Sequence, residues 1–178
     1  MFSDKIHKNK KMYQKDFQHI LEKGMDYCII SAGINDASTK VGASFYATNM
    51  ELIIHHLAAI GTVPVILEIP QFDIHKAYRQ TSIPTKLLRH ISMTVNNDSI
   101  DCIGKYRTAL AKMLAERHLE GKIIYIPHTE WSENGYSDAR GIFSNDGVHL
   151  NKKGFLILDQ CIIRHIREHA SAGNKATF

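Results

Sequence analysis

The sequence predicts a three-layer α/β/α fold built on a parallel β-sheet. Three short apolar runs, Tyr27 to Ala32, Val63 to Ile69 and Lys122 to Ile126, lack helical periodicity and read as buried strands. Stretches with apolar residues at helical spacing separate them, so the order is helix, strand, helix, strand, helix, strand, helix. Such alternation is the pattern of parallel strands covered on both faces by helices. At 178 residues the chain suits one packed domain, and a single domain over 1–178 is expected.

Each element has its own signals. A first helix is expected from about Lys5 to Leu21, with Met12, Phe17, Ile20 and Leu21 as its apolar stripe and Gly24 as its terminator. The first strand follows and stops at Gly33. A helix rich in Leu, Ile and Ala is expected from Tyr46 to Ile60, closed by Gly61. The second strand tolerates Pro64 only near its start, and Pro70 ends it. Residues 71–97 carry the weakest pattern. A helix is expected there from Thr85 to Val95, after Pro84, with a turn at Asn96-Asn97-Asp98. The next helix, Ser99 to Leu119, places Ile103, Tyr106, Leu110, Met113 and Leu114 at helical spacing. After the third strand and Pro127 comes a polar loop to Asn145, then a last helix from Lys152 to His169 and a frayed tail over 170–178.

Composition excludes several classes. The net charge of +4 is concentrated at the start, where residues 1–23 hold six lysines against Asp4, Asp16 and Glu22. That segment lacks arginine and accompanies no zinc-finger or helix-turn-helix pattern, so no nucleic-acid partner is expected. No apolar run reaches the roughly 20 residues of a membrane-spanning helix. Met1 is followed by polar, lysine-rich sequence without an apolar signal core, and a cytoplasmic location is expected. Cys28, Cys102 and Cys161 are odd in number and form no CxxC pair, which favours buried thiols over a disulfide framework or a zinc site.

In parallel sheets the loops leaving the carboxyl ends of the strands form the binding crevice. Two polar segments stand at such places. The first is Gly33-Ile34-Asn35-Asp36, immediately after the first strand. Gly33 permits an unusual dihedral or a close backbone approach. Asn35 can aim amide hydrogens at a developing oxyanion. Asp36 suits a turn-holding role, and the bland alternative makes the tetrapeptide a polar turn only. The second segment runs from Asn145 to Asn151, before the last helix. Asp146 can orient His149, whose other ring nitrogen then serves as a general base, and Asn151 can cap the helix. A turn aspartate beside a surface histidine is the bland alternative. Among other residues, His75 and His128 suit either loop packing or substrate contact. Trp131 offers a stacking surface for a sugar ring.

Together the two segments carry a resemblance. "CIISAGINDAS" resembles the third conserved block, GxND, of SGNH (GDSL-type) hydrolases, and "NDGVHLNKKG" resembles their fifth, DGxHLN. The resemblance covers nearly the whole chain from the first expected helix. It implies a flavodoxin-like sheet and hydrolysis of a small-molecule or carbohydrate ester through an acyl-serine, with neither metal nor organic cofactor. By motif, Asn35 would donate to the oxyanion, Gly33 would shape its loop, Asp146 would orient and His149 would be the base. An acyltransferase is chemically close to the same reading.

The pattern departs from the family at one end. No GDS block occurs, and the second, glycine-centred block is also missing. The fold is therefore expected to lack its N-terminal strands and to expose an apolar sheet edge. The nucleophile is expected upstream in a longer protein or on a partner chain that completes the sheet. The alternative is a noncatalytic carbohydrate- or protein-binding module. Ser3 has no strand before it, and Ser31, Ser38, Ser44 and Ser144 have no supporting motif.

Overall fold

The computed structural model describes residues 24–133, 135–136 and 138–175. The helix expected over Lys5 to Leu21 lies outside them. Three strands, β1 (Tyr27–Ser31), β2 (Val63–Leu67) and β3 (Ile124–Ile126), form one parallel sheet in the order β1-β2-β3. Leu67 pairs with both Ser31 and Ile126, so the three strands end level at their carboxyl ends. The helices are α1 (Ile34–Thr39), α2 (Ala43–Ala59), α3 (Ile74–Arg79), α4 (Ile83–Val95), α5 (Ile103–Glu116) and α6 (Lys152–Lys175).

The alternation of side chains along β2 builds the layers. Ile66 joins Tyr46, Met50, Ile54 and Leu57 of α2 and Ile103, Tyr106 and Leu110 of α5 on one face. Its neighbours Val65 and Leu67 join Ile124, Ile126 and the α6 residues Leu158, Cys161 and Ile162 on the other. Burial of each such aliphatic stabilises the fold by about 1.5–3 kcal/mol. The result is the α/β/α, flavodoxin-like arrangement that the sequence predicts.

The layer containing α6 covers the sheet unevenly. Ile30 of β1 is buried, whereas Ile29, on the opposite face, is 51% exposed. Phe155, Leu156 and Ile163 of α6 are exposed as well. Among the described residues no strand pairs with the outer edge of β1. This is the uncovered apolar edge expected of a sheet without its N-terminal strands.

Other boundaries move for local reasons. α5 begins at Ile103 rather than Ser99 because Lys105 Nζ binds Asn96 O, Asn97 O and Asp98 Oδ1, holding the preceding residues in a turn. β2 ends at Leu67 rather than Ile69, since Glu68 turns to His128 and Ile69 packs under Gly33. α4 starts two residues early, with Pro84 in the first turn, where a missing N–H breaks no helical bond. The last helix continues past His169 to Lys175. Two six-residue helices, α1 and α3, were not expected: each is too short to display a periodic stripe.

Candidate active site

Gly33 ends β1's excursion and caps α1 with φ of +103°. A Cβ there would lie 2.5 Å from Ile69 Cδ1 and 2.9 Å from Tyr46 Cε2. Both reasons for a glycine, dihedral and close approach, therefore apply. Asn35 follows as the second residue of α1, exposed to solvent. The GIND segment is thus a helix start rather than a simple polar turn. Asp36 takes part through its main-chain carbonyl, which accepts from Val41 N at 3.2 Å and from the Tyr106 hydroxyl at 3.1 Å. Tyr106 also accepts from Gly42 N at 2.8 Å, tying the ends of the α1–α2 connection to α5.

The second segment closes on itself. Asp146 Oδ1 accepts from the backbone N–H groups of Val148 at 2.9 Å and His149 at 3.0 Å. Its Oδ2 lies 2.5 Å from His149 Nδ1. The His149 bond, followed by the two backbone donors, lowers the Asp146 carboxyl to about 2. Gly147, at φ of +74°, permits the tight return, and its carbonyl accepts from Asp73 N at 2.9 Å. Asn151 caps α6 as expected, its Oδ1 accepting from Gly154 N at 3.0 Å. With Nδ1 engaged by Asp146, Nε2 is the His149 nitrogen left to exchange a proton.

One cavity of about 740 Å³ joins the two segments at the carboxyl end of the sheet. Gly33, Asn35 and Asp36 line it from one side, and Asp146, Val148 and His149 from the other. All four residues singled out by the sequence thus border the same space. The rim also holds Pro70, just past the second strand, and Ala77, Gln80 and Thr81 of the weakly patterned stretch around α3, none of which the sequence marks as site residues. Phe155 and Leu158 of α6 add apolar wall.

Two serines also line the cavity. Ser31 is exposed at the end of β1, and Ser38 Oγ accepts from Arg89 Nη2 at 3.1 Å. Ser144 Oγ contacts Leu150 O at 3.4 Å. Among the described residues no serine hydroxyl is hydrogen-bonded to His149.

The remaining candidates separate into different places. His128 is buried and forms a second carboxylate–imidazole pair, with Nδ1 2.5 Å from Glu68 Oε2. Burial works against ionisation of Glu68, but bonds from His128, Tyr125 and the His128 backbone lower its carboxyl to about 2. His128 does not line the main cavity. His75 is exposed on a separate cavity of about 420 Å³ beside Asp73 and Tyr136. Trp131 borders the main cavity but is only 3% exposed, a wall rather than an open platform for a sugar.

The three cysteines are free, and burial raises each thiol. Glu130, Cys161 and His165 bring ligand-type atoms within 4.8 Å of one another. However, the Arg164 guanidinium donates to the same Glu130 oxygen and already supplies the cation. No helix among the described residues is long and apolar enough to cross a membrane.

No family model and no curated protein matches the chain. A solved structure of a GDSL-like lipase from Bacteroides thetaiotaomicron is similar to it at 16% sequence identity with a TM-score of 0.53. The match covers 81% of this chain and 63% of that one, so the chain spans less than two thirds of the lipase's length. The fold is, on this comparison, a distant and partial relative of a GDSL-like lipase fold.

Proposed function

We propose that this chain supplies the general-base and oxyanion parts of a serine esterase site. The carrying observation is that Asn35 and the Asp146–His149 pair border one cavity, with the pair already closed at 2.5 Å. Asp146 holds the ring so that Nε2 is the basic nitrogen and stabilises the imidazolium that forms. His149 takes the proton of an attacking serine and returns it to the leaving alcohol. It then activates water for deacylation. Asn35 donates to the oxyanion of each tetrahedral intermediate, and Gly33 fixes the loop from which it does so.

The nucleophile in this reading arrives on a further strand beside the free edge of β1, from an upstream segment or a partner chain. The exposed Ile29 and Phe155 support that placement, because such a strand and its helix would cover them. The substrate is a small carboxylic ester. The largely apolar wall formed by Leu158, Phe155 and Val148 suits an acyl group.

Acetyl-ester hydrolysis by the protein with any natural upstream sequence and partners tests this reading. His149→Ala should lower kcat/KM by roughly a thousandfold or more, and Asp146→Asn by roughly a hundredfold or more. Unchanged turnover in His149→Ala would remove the proposal. A second reading, a noncatalytic carbohydrate- or protein-binding module, is favoured by the fact that among the described residues no serine is bonded to His149. It predicts ligand binding to the folded protein without turnover.

A further inference from the structure

Helix α4 is turned inside out. Its inward face centres on Arg89 and Met93, both buried, with Arg89 donating to Ser38 Oγ at 3.1 Å and Thr81 Oγ1 at 3.4 Å. Its apolar residues face away from the body: Ile83, Leu87, Leu88, Ile91 and Val95 are between 52% and 82% exposed. Residues 83, 87, 91 and 95 recur every fourth position, and Leu88 widens the ridge to an arc of about 140°. An amphipathic helix normally buries that face. Here it is the polar face that packs.

The charge around the ridge says what covers it. Residues 74–97 contain no aspartate or glutamate; of their cations Lys86 flanks the ridge and Arg79 ends the preceding helix, whereas Lys76 donates to Asn145 O and Arg89 is buried on the inward face. The acids bordering this stretch are engaged: Asp73 caps α3 by accepting from Lys76 N, and Asp98 is paired with Lys105 at 2.7 Å. Lys86 and His90 lie beside one margin of the apolar ridge. An apolar ridge with a cationic margin suits the boundary between headgroups and acyl chains of an anionic bilayer. At 13 residues, α4 is too short to span the hydrocarbon core and would lie in its plane.

The same charge argues against the nearest alternatives. Residues 1–23 carry six lysines against three acids, so that segment would bring like charge to the ridge. A second copy packed antiparallel and face to face on α4 would set one basic margin against the other. The geometry points to α4 as an interfacial helix that docks the protein on an anionic lipid surface. Ala77, Gln80 and Thr81, just before α4, line the rim of the main cavity, so docking would hold that rim against the surface. This inference stands apart from the esterase reading, since lipid binding needs no turnover.

Co-sedimentation of the full chain with phosphatidylcholine vesicles, and with phosphatidylcholine–phosphatidylserine vesicles, tests it. Binding is expected to the mixed vesicles and to be weaker without phosphatidylserine. The Leu87→Gln/Ile91→Gln pair should weaken it by roughly tenfold or more while circular dichroism stays unchanged. Leu88→Gln alone reads the same face should the pair unfold. Replacing Lys8, Lys10 and Lys11 by Gln should leave most of the binding in place. Absence of binding to either vesicle, or binding indifferent to the α4 changes, would overturn the assignment. So would binding abolished by the lysine changes alone. Dimerisation that Leu87→Gln/Ile91→Gln abolishes, without vesicle binding, would assign the ridge to a second copy and overturn it equally.

Discussion

At the scale of single residues, two carboxylate–imidazole pairs have opposite degrees of legibility. Asp146 and His149 are three positions apart, so their contact follows from a tight turn that Gly147 permits, and the sequence displays it. Glu68 and His128 are separated by 60 positions and meet only because β2 and β3 pair side by side. No local pattern announces such a contact. Glu68 also gives a pH prediction. Its folded carboxyl, at about 2, lies below the ordinary value of 4.5, so its contribution is fully present above about 4.5. That stability is lost as pH falls towards about 2. Glu68→Gln should destabilise the protein at neutral pH by about 1–3 kcal/mol and flatten the acid dependence over that window. Urea denaturation at several pH values measures both, and an unchanged slope in the variant would contradict the assignment. Gly33 makes a sharper steric prediction. Alanine there must adopt φ of +103° and push aside Ile69 and Tyr46. A loss of about 2–4 kcal/mol is expected in chemical denaturation, and a loss within 0.5 kcal/mol of zero would contradict the geometry.

At the scale of elements, the long, regularly patterned pieces were readable and the short ones were not. β1 and α2 follow from an apolar run that stops at Gly33 and a Leu-, Ile- and Ala-rich stretch closed by Gly61. α1 and α3 escape because one and a half turns cannot establish a period. α4 was located by Pro84, but its orientation contradicts the usual rule that the apolar face points inward. Packing, not pattern, sets that orientation, through the bonds of Arg89 to Ser38 and Thr81. The joint between α1, α2 and α5 rests on another contact invisible in sequence, the Tyr106 hydroxyl between Gly42 N and Asp36 O. Tyr106→Phe leaves the buried Gly42 N–H without that acceptor. It should lower stability by about 1–3 kcal/mol, with the first hydrogen-exchange losses at Gly42 and its neighbours. Uniform exchange throughout the chain would argue that the joint is not local.

At the scale of the whole molecule, helices cover both faces of the sheet, but the α6 face is left open beside the β1 edge. β2 is central and buried on both faces, as its continuous apolar run implies. β1 has the same kind of sequence yet leaves Ile29 half exposed, because α6 leaves that part of the face uncovered. An apolar edge of this kind promotes self-association. Ile29→Lys should therefore reduce concentration-dependent scattering of the isolated chain without lowering its denaturation midpoint. Equal scattering from both proteins would show that this edge is not the adhesive surface. The free edge of β1 is also the proposed position of the strand that brings the nucleophile to Asn35 and His149. Reaction with a fluorophosphonate ester, followed by peptide mapping of the labelled serine, tests whether such a strand carries the nucleophile. It should be done on the 178-residue chain and on the protein with any natural upstream sequence and partners. One labelled serine is expected, on a segment that pairs with β1, with loss of labelling in His149→Ala. Labelling of no serine in the folded, complete protein, or labelling indifferent to His149, would contradict it.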